Sequence, residues 1–342
     1  MMAVLRRVAS LKLTLAGMVL LAVGAGLSYG NPATMPVWVL VVPMALLALN
    51  LLAAIVSNTR INRRPGLLVF HLGLLGVVVL AAVGRLTHFE AHVELLQGTA
   101  LSAAQLFDRR EGPFHPDGLS GVDFVQGPFT VEYFPGIVRG ATRSTVVLTD
   151  ENGNRETRTI GDDTPLVLDG YRFYTTFNKG FAPVLTWIPD QGEQVTGAVH
   201  MPSYPLFDFR QDNTWTPPGG PQVKLWLSLE TGLKEKEYWV LDGSKAHSTL
   251  VLNLGDRRFE LKVGESLRLP GGVVRYERLS TWMGYKIFFD PTLKWMFIVA
   301  MVGVCGMGAH FWRCFGARFG DNPGGASAGE GQSVQSLEGR AA

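Results

Sequence analysis

The residue best placed to do chemistry in this sequence is a histidine inside an apolar run. His71 is the only ionisable side chain between Gly66 and Gly84. If that run is a helix crossing a membrane, His71 sits about 7 Å into the hydrocarbon from its inner end. Desolvation there favours a neutral imidazole with one ring nitrogen free to accept a hydrogen bond or bind a metal, and ionisable groups at such depth are usually functional. Asn50 lies near the inner end of the preceding apolar run, Pro36–Ser57, so antiparallel neighbours bring the two to a similar depth. Its amide, accepting from one ring nitrogen, would fix the tautomer and leave the other nitrogen for iron. A plain interhelical hydrogen bond with no ligand explains the pair equally well.

Other histidines are less pointed. His310 stands two residues before Trp312 at the inner end of the run Leu293–Trp312, where an interfacial role and an approach to His71 from the same leaflet both fit. His88 and His92 are four apart just beyond Gly84; on a continuing helix they share a face, as a metal pair or as a solvated helix end. His115, His200 and His247 are isolated in strand or loop context. No enzyme constellation accompanies them, for the chain has no Gly-rich phosphate loop, GxSxG elbow, HExxH or CxxC. Lacking CxxCH, it is not a c-type cytochrome with covalent haem. Two cysteines, Cys305 and Cys314, exclude a disulfide framework; Cys305 reads as a small packing residue and Cys314 as a free cytoplasmic thiol.

The elements that must position these residues are written in the hydropathy. Of the 342 residues 47% are hydrophobic, and mean hydropathy is +0.16. The excess gathers in four runs, 11–29, 36–57, 66–84 and 293–312, each near the ~20 residues a spanning helix needs. Arg6, Arg7, Lys12, Arg60, Arg63, Arg64, Arg313 and Arg318 flank one side of these runs. By the positive-inside rule both termini are cytoplasmic and the segment between the third and fourth runs faces out. Tyr29, Trp38 and Trp295 then sit at the outer interface and Trp312 at the inner one. The first run also has the basic start and small residues of a cleavable signal peptide, an alternative that leaves the other helices oriented alike. The net charge of +2 is accounted for by these flanks, so nucleic acid is not an expected partner.

Between the third and fourth runs the chain reads as strands: Phe129–Phe134, Ser144–Thr149, Tyr171–Phe177, Val223–Glu230, Glu237–Leu241, Thr249–Leu254 and Arg258–Val263, with turn signals at Asn152-Gly153 and Asp242-Gly243. The fold class is therefore membrane α plus β: three transmembrane helices over 1–87, a large extracytoplasmic, antiparallel, sandwich-like β domain over 88–290, and a fourth transmembrane helix over 291–315. Residues 316–342, Gly-, Ala- and Ser-rich, read as a disordered cytoplasmic tail. Gly161–Tyr174 and Gly264–Tyr276 share a pattern of glycine, paired leucines, glycine and tyrosine, which either an internal duplication or the sameness of β meanders explains.

Taken together, the runs SLKLTLAGMVLLAVGAGLSYG, LALNLLAAIVSNTR, GLLVFHLGLLGVVV, TIGDDTPLVLDGYRFYTTF and GYKIFFDPTLKWMFIVAMVGVCGMGAHF resemble, in order and spacing, the ResB (CcsB) family of System II cytochrome c biogenesis. Asp162, Asp163 and Thr164 stand where the family usually has asparagine before Pro-Leu, and Thr292 where it often has glycine. The resemblance implies a haem-handling subunit in the cytoplasmic (inner) membrane that helps export haem b, bound transiently and without a covalent link, and deliver it to apocytochrome c outside. It implies partners: a CcsA (ResC) membrane protein carrying the tryptophan-rich segment this chain lacks, apocytochrome c and a thiol reductase. His71 maps onto the family's membrane histidine, an axial ligand to haem iron, with Asn50 supporting it and His310 as a further candidate. No catalytic residue is expected in this chain alone. The reading from a different class is a non-catalytic membrane-anchored scaffold or sensor whose β domain binds another protein.

Overall fold

A computed structural model describes residues 2–320 apart from 33, 150, 151 and 233, with side chains from 4 to 313. The side chain of Cys314 and the tail beyond residue 320 lie outside the described residues. Two compact units emerge, one helical, formed by the chain up to Val83 and from Thr292 onward, and one strand-rich, Gly84–Pro291.

The helices are α1 (Met2–Val8), α2 (Leu11–Gly30), α3 (Trp38–Ser57), the single turn α4 (Thr59–Asn62), α5 (Pro65–Thr87) and α6 (Leu293–Gly320). Of these α2, α3, α5 and α6 are long and apolar enough to cross a membrane. Their ends move by at most three residues from the expected ones, except that α6 runs on to Gly320. Large apolar side chains such as Leu11, Val19, Leu49, Phe297 and Val304 remain exposed, as do Tyr29, Trp38, Trp295 and Trp312 near the helix ends. The chain does not cover this surface itself, and a water-soluble protein rarely leaves so much uncovered. Cys305 is exposed on α6 rather than packed within the chain as expected.

Small residues set how closely these helices approach. A Cβ on Gly24 of α2 would lie 2.7 Å from the carbonyl oxygen of Val39 on α3. Between α5 and α6 the fit is tighter still. A Cβ on Gly66 would meet the Gly306 carbonyl oxygen at 2.7 Å and His310 N at 2.8 Å, and one on Gly73 would meet Gly303 Cα at 2.6 Å. Gly76 faces the side chain of Val299, whose Cβ would lie 3.3 Å from an added Cβ. Rising numbers on α5 meet falling numbers on α6, so the two run antiparallel with their backbones nearly in contact.

The strand-rich unit contains β1 (Phe89–Leu96), β2 (Phe107–Glu111), β3 (Val125–Phe134), β4 (Val138–Thr149), β5 (Arg155–Gly161), β6 (Leu166–Leu168), β7 (Tyr171–Pro189), β8 (Val195–Ala198), β9 (Asp212–Trp215), β10 (Val223–Glu230), β11 (Trp239–Asp242), β12 (His247–Leu254), β13 (Arg257–Leu261), β14 (Ser266–Leu269) and β15 (Gly272–Phe289). Pairing is antiparallel throughout, as expected, but the strands form three sheets rather than a two-sheet sandwich. One runs β2-β1-β15-β7-β6 with β14 on β15 and β8 on β7, the second β13-β12-β10-β9, the third β11-β3-β4-β5. A single hydrophobic core draws on all three, including Leu95, Val131, Phe173, Leu225, Leu252 and Tyr285.

The two segments with a shared sequence pattern occupy matching places. In each, a hairpin (β4–β5 or β12–β13) leads through a short strand (β6 or β14) and a turn glycine to a long strand (β7 or β15). The turn glycines adopt nearly the same left-handed φ, 85° at Gly170 and 86° at Gly271, which a side chain would resist. The long strands then pair with each other along most of their length. Asp242-Gly243 marks a turn, as expected: Asp242 accepts from Ser244 N at 3.0 Å and caps a 3-10 turn between β11 and β12.

Tyrosines on β15 pin the sheets together. The Tyr285 hydroxyl donates to Gln126 Oε1 on β3 at 2.7 Å and lies 2.7 Å from Ser144 Oγ on β4. Gln126 Nε2 donates to Ser144 Oγ at 2.9 Å and closes the ring. Tyr276 makes the corresponding link to Ser248 on β12 at 2.6 Å. Such buried networks, fully satisfied, fix one arrangement of the sheets.

Lys179 on β7 puts an ammonium group inside this unit. It is 2% exposed, and its Nζ reaches only the Phe177 carbonyl oxygen, at 3.4 Å. Burial, with help from the nearby Arg139 and against the pull of Asp162, pushes its ammonium down to about 8. The unfolded chain titrates near 10.5, so between those values it binds more protons than the folded one. The penalty for charging Lys179 is therefore complete below pH 8, and stability rises as pH climbs from 8 towards 10. Above pH 10 stability falls, because burial holds Tyr133 and Tyr285 protonated after the unfolded chain has released those protons. Lys179→Met is expected to stabilise the unit by about 2 kcal/mol at pH 7 and to flatten the rise between pH 8 and 10. Thermal unfolding followed by tryptophan fluorescence checks this; an equal or lower midpoint for the variant at pH 7 counts against it.

Candidate functional site

His71 stands in the second turn of α5, which runs unbroken from Pro65, tolerated in a first turn, to Thr87 despite four glycines, as expected of an apolar segment whose backbone bonds can be satisfied only internally in hydrocarbon. Its Nδ1 lies 2.7 Å from the carbonyl oxygen of Leu67, one turn back. A carbonyl only accepts, so this bond needs the proton on Nδ1 and leaves Nε2 as the free lone pair. Phe70 sets its ring edge-on to the imidazole at 5.3 Å.

The glycine contacts fix which way His71 points. Gly66, Val69, Phe70, Gly73 and Gly76 form the face of α5 that meets α6. At 3.6 residues per turn, His71 lies about 150° around the helix from that face. It projects from the side of α5 that α6 leaves uncovered, and it is only partly buried in the chain.

Asn50 does not supply the expected support. It is buried, but its Oδ1 accepts from Thr14 Oγ1 at 2.7 Å, while Nδ2 donates to the carbonyl oxygens of Val8 at 2.6 Å and Ser10 at 3.1 Å. The amide thus ties α3 to the junction of α1 and α2, whose carbonyls need donors. Leu67 does for the imidazole what Asn50 was expected to do. His310 is displaced too: its backbone packs against Gly66, on the face of α5 turned away from His71, and its ring neighbours Phe311 at 5.7 Å.

His88 and His92 share no helical face, because α5 ends at Thr87 and β1 begins at Phe89. On extended chain four residues span about 13 Å, too far for one metal. His88 Nδ1 bonds the Arg85 carbonyl at 2.9 Å, and His92 Nδ1 lies 3.8 Å from Asp108. Among the described residues no group of three or more His, Cys, Asp or Glu comes together to hold a metal.

Two arrangements were not legible beforehand. His115, isolated in sequence, fastens the end of α5 to the sheet. Its Nδ1 bonds the Thr87 carbonyl oxygen at 3.0 Å, its Nε2 meets the Tyr171 hydroxyl at 2.8 Å, and its ring stacks on Phe89. Phe114 N and Gly112 N donate to the carbonyls of Leu86 and His88 at 2.9 Å each, satisfying groups a helix end leaves open. His200, also isolated, stacks on Trp282 with its Nδ1 3.9 Å from Glu94. Only long-range pairing brings these residues together, so no local signal could have revealed them.

Among known families, the model of the ResB-like family matches residues 52–252. That stretch holds His71 and most of the strand-rich unit, and it excludes Asn50 and His310. No curated protein matches the chain. The match covers more than half of the sequence, in agreement with the resemblance carried by its motifs, and the chain therefore belongs to the ResB-like family, whose members take part in cytochrome c biogenesis.

Proposed function

We propose that this chain is the haem-handling B half of a cytochrome c synthase, with α2, α3, α5 and α6 crossing the cytoplasmic membrane. Both termini face the cytoplasm and the strand-rich unit faces outward, an orientation that the basic flanks support. The observation that carries the reading is the imidazole of His71: Nδ1 is committed to Leu67, and Nε2 is free on the side of α5 away from α6. This is how a histidine ligand to iron is ordinarily prepared, with the second nitrogen held by a carbonyl acceptor. Bound haem b would supply the iron porphyrin that is delivered to apocytochrome c.

The chain's own residues hold and orient. Leu67 fixes the His71 tautomer, Phe70 restricts the ring, and the close contact of α5 with α6 keeps the helix from turning. That His71 projects from the side of α5 that α6 leaves uncovered supports a CcsA (ResC) partner as the source of a second ligand. Co-expression with such a partner and purification in detergent should give a haem absorption band. A complex that forms without haem, in cells whose cytochrome c matures normally when this chain is deleted, would favour a scaffold instead.

A further inference from the structure

The strand-rich unit carries a pocket of about 350 Å³ lined by Glu94, Asn178, His200, Ser203, Asp212, Trp282 and three further residues. It sits on the face of the central sheet opposite the core, where β1 and β7 flank β15. The pairing of Glu94 with Gly284 and of Trp282 with Gly180 leaves glycines beside both side chains. A Cβ on Gly180 would lie 3.0 Å from Trp282 Nε1 and 3.2 Å from the Pro202 carbonyl oxygen, so a side chain there would crowd the indole. That indole N–H is buried and has no acceptor, although the ring is only 4% exposed.

The charge of this pocket is one-sided. Glu94 and Asp212 line it, and no lysine or arginine does. Burial pushes the Glu94 carboxyl up. Its nearest charged candidate is His200, whose imidazole burial pushes down towards the neutral form. Asn178 Oδ1, accepting from Ser203 Oγ at 3.3 Å, adds a further acceptor. Two carboxylates and an amide oxygen with no lysine or arginine beside them suit a positively charged side chain rich in donors, while the unpaired indole N–H of Trp282 suits a carbonyl of the backbone that carries it.

The pocket also lies beside β9, the last strand of its sheet. No further strand pairs with its outer edge among the described residues, so an extended peptide could run there, although Thr214 N already donates to Asn213 Oδ1 at 2.7 Å. We propose that this pocket takes a basic side chain, arginine or lysine, presented by a polypeptide partner that lies along β9. The inference stands apart from the haem reading, since it uses no residue of the helical unit.

The test uses the full chain in detergent, titrated calorimetrically with the peptide acetyl-Gly-Arg-Gly-amide and with its citrulline counterpart, which has the same shape without the charge. The arginine peptide should bind at least about tenfold more tightly, as expected for charge-assisted hydrogen bonds. Glu94→Gln and Asp212→Asn should each remove most of that advantage. Glu260→Gln, on the exposed strand β13, should leave it unchanged. Equal binding of the two peptides, or an undiminished preference in both pocket variants, would overturn the proposal. So would arginine amide binding as tightly as the peptide, or saturation of the pocket by Ca²⁺ alone.

Discussion

Alanine at position 71 should remove the haem band from the complex with the partner half and lower cytochrome c maturation by at least about tenfold. Loss of the support behind a metal ligand already costs 10–100-fold in comparable sites, and here the ligand itself is removed. The variant is informative because it leaves the helix intact. The Leu67 carbonyl already accepts from the backbone N–H of residue 71 in the α-helical pattern, so losing the imidazole bond strands no buried group. Added imidazole should restore part of the band by entering the space left behind, which a merely structural role of His71 would not allow. An unchanged spectrum together with unchanged maturation would sink the assignment. By contrast Asn50→Leu should spare the spectrum and weaken the attachment of α1 and α2, since its three hydrogen bonds go there.

The second large effect is expected at Gly73. A Cβ there would lie 2.6 Å from Gly303 Cα, 2.9 Å from Gly303 N and 2.9 Å from the Val299 carbonyl oxygen. All three are backbone atoms, so no side chain can swing aside, and α5 and α6 must separate. Overpacking of this kind costs about 1–3 kcal/mol even where side chains yield; Gly73→Leu should exceed that and reduce the folded yield in detergent by tenfold or more. The opposite glycine is not equivalent. A Cβ on Gly303 would meet its nearest atom, Gly73 Cα, at 3.5 Å, an ordinary contact, so Gly303→Ala should be nearly silent. Gly26→Leu, with open space around it, provides the reference on α2. Equal yields for Gly73→Leu and Gly26→Leu would show that the close approach is dispensable.

A helix that spans hydrocarbon is a local matter, settled by some twenty apolar residues whose backbone bonds are satisfied within the segment itself. The four long helices could therefore be read directly, as could His71, which stood out by being polar where its neighbours were not. Strands with one face in the core were legible for a similar reason: β10 alternates buried and exposed side chains, and its limits agree with the sequence reading. The far half of β7 was missed, and so was β15. Phe181–Trp187 and Leu279–Phe289 are covered largely on both faces, which erases the alternation that marks a strand.

What surrounds His71 was another kind of question. The residue type and depth of Asn50 suggested a partner, but a buried amide bonds whichever groups the packing leaves unpaired, and those were the carbonyls of Val8 and Ser10. The sequence by itself determined the apolar helices, the antiparallel strands and the one histidine placed among apolar neighbours. Only the tertiary structure decided that Leu67 orients its ring, that Gly73 and Gly303 turn it away from α6, and that Glu94, His200 and Trp282 share a pocket. Local composition sets what a segment can become, whereas the direction of a side chain and the company it keeps depend on contacts between residues far apart in the chain.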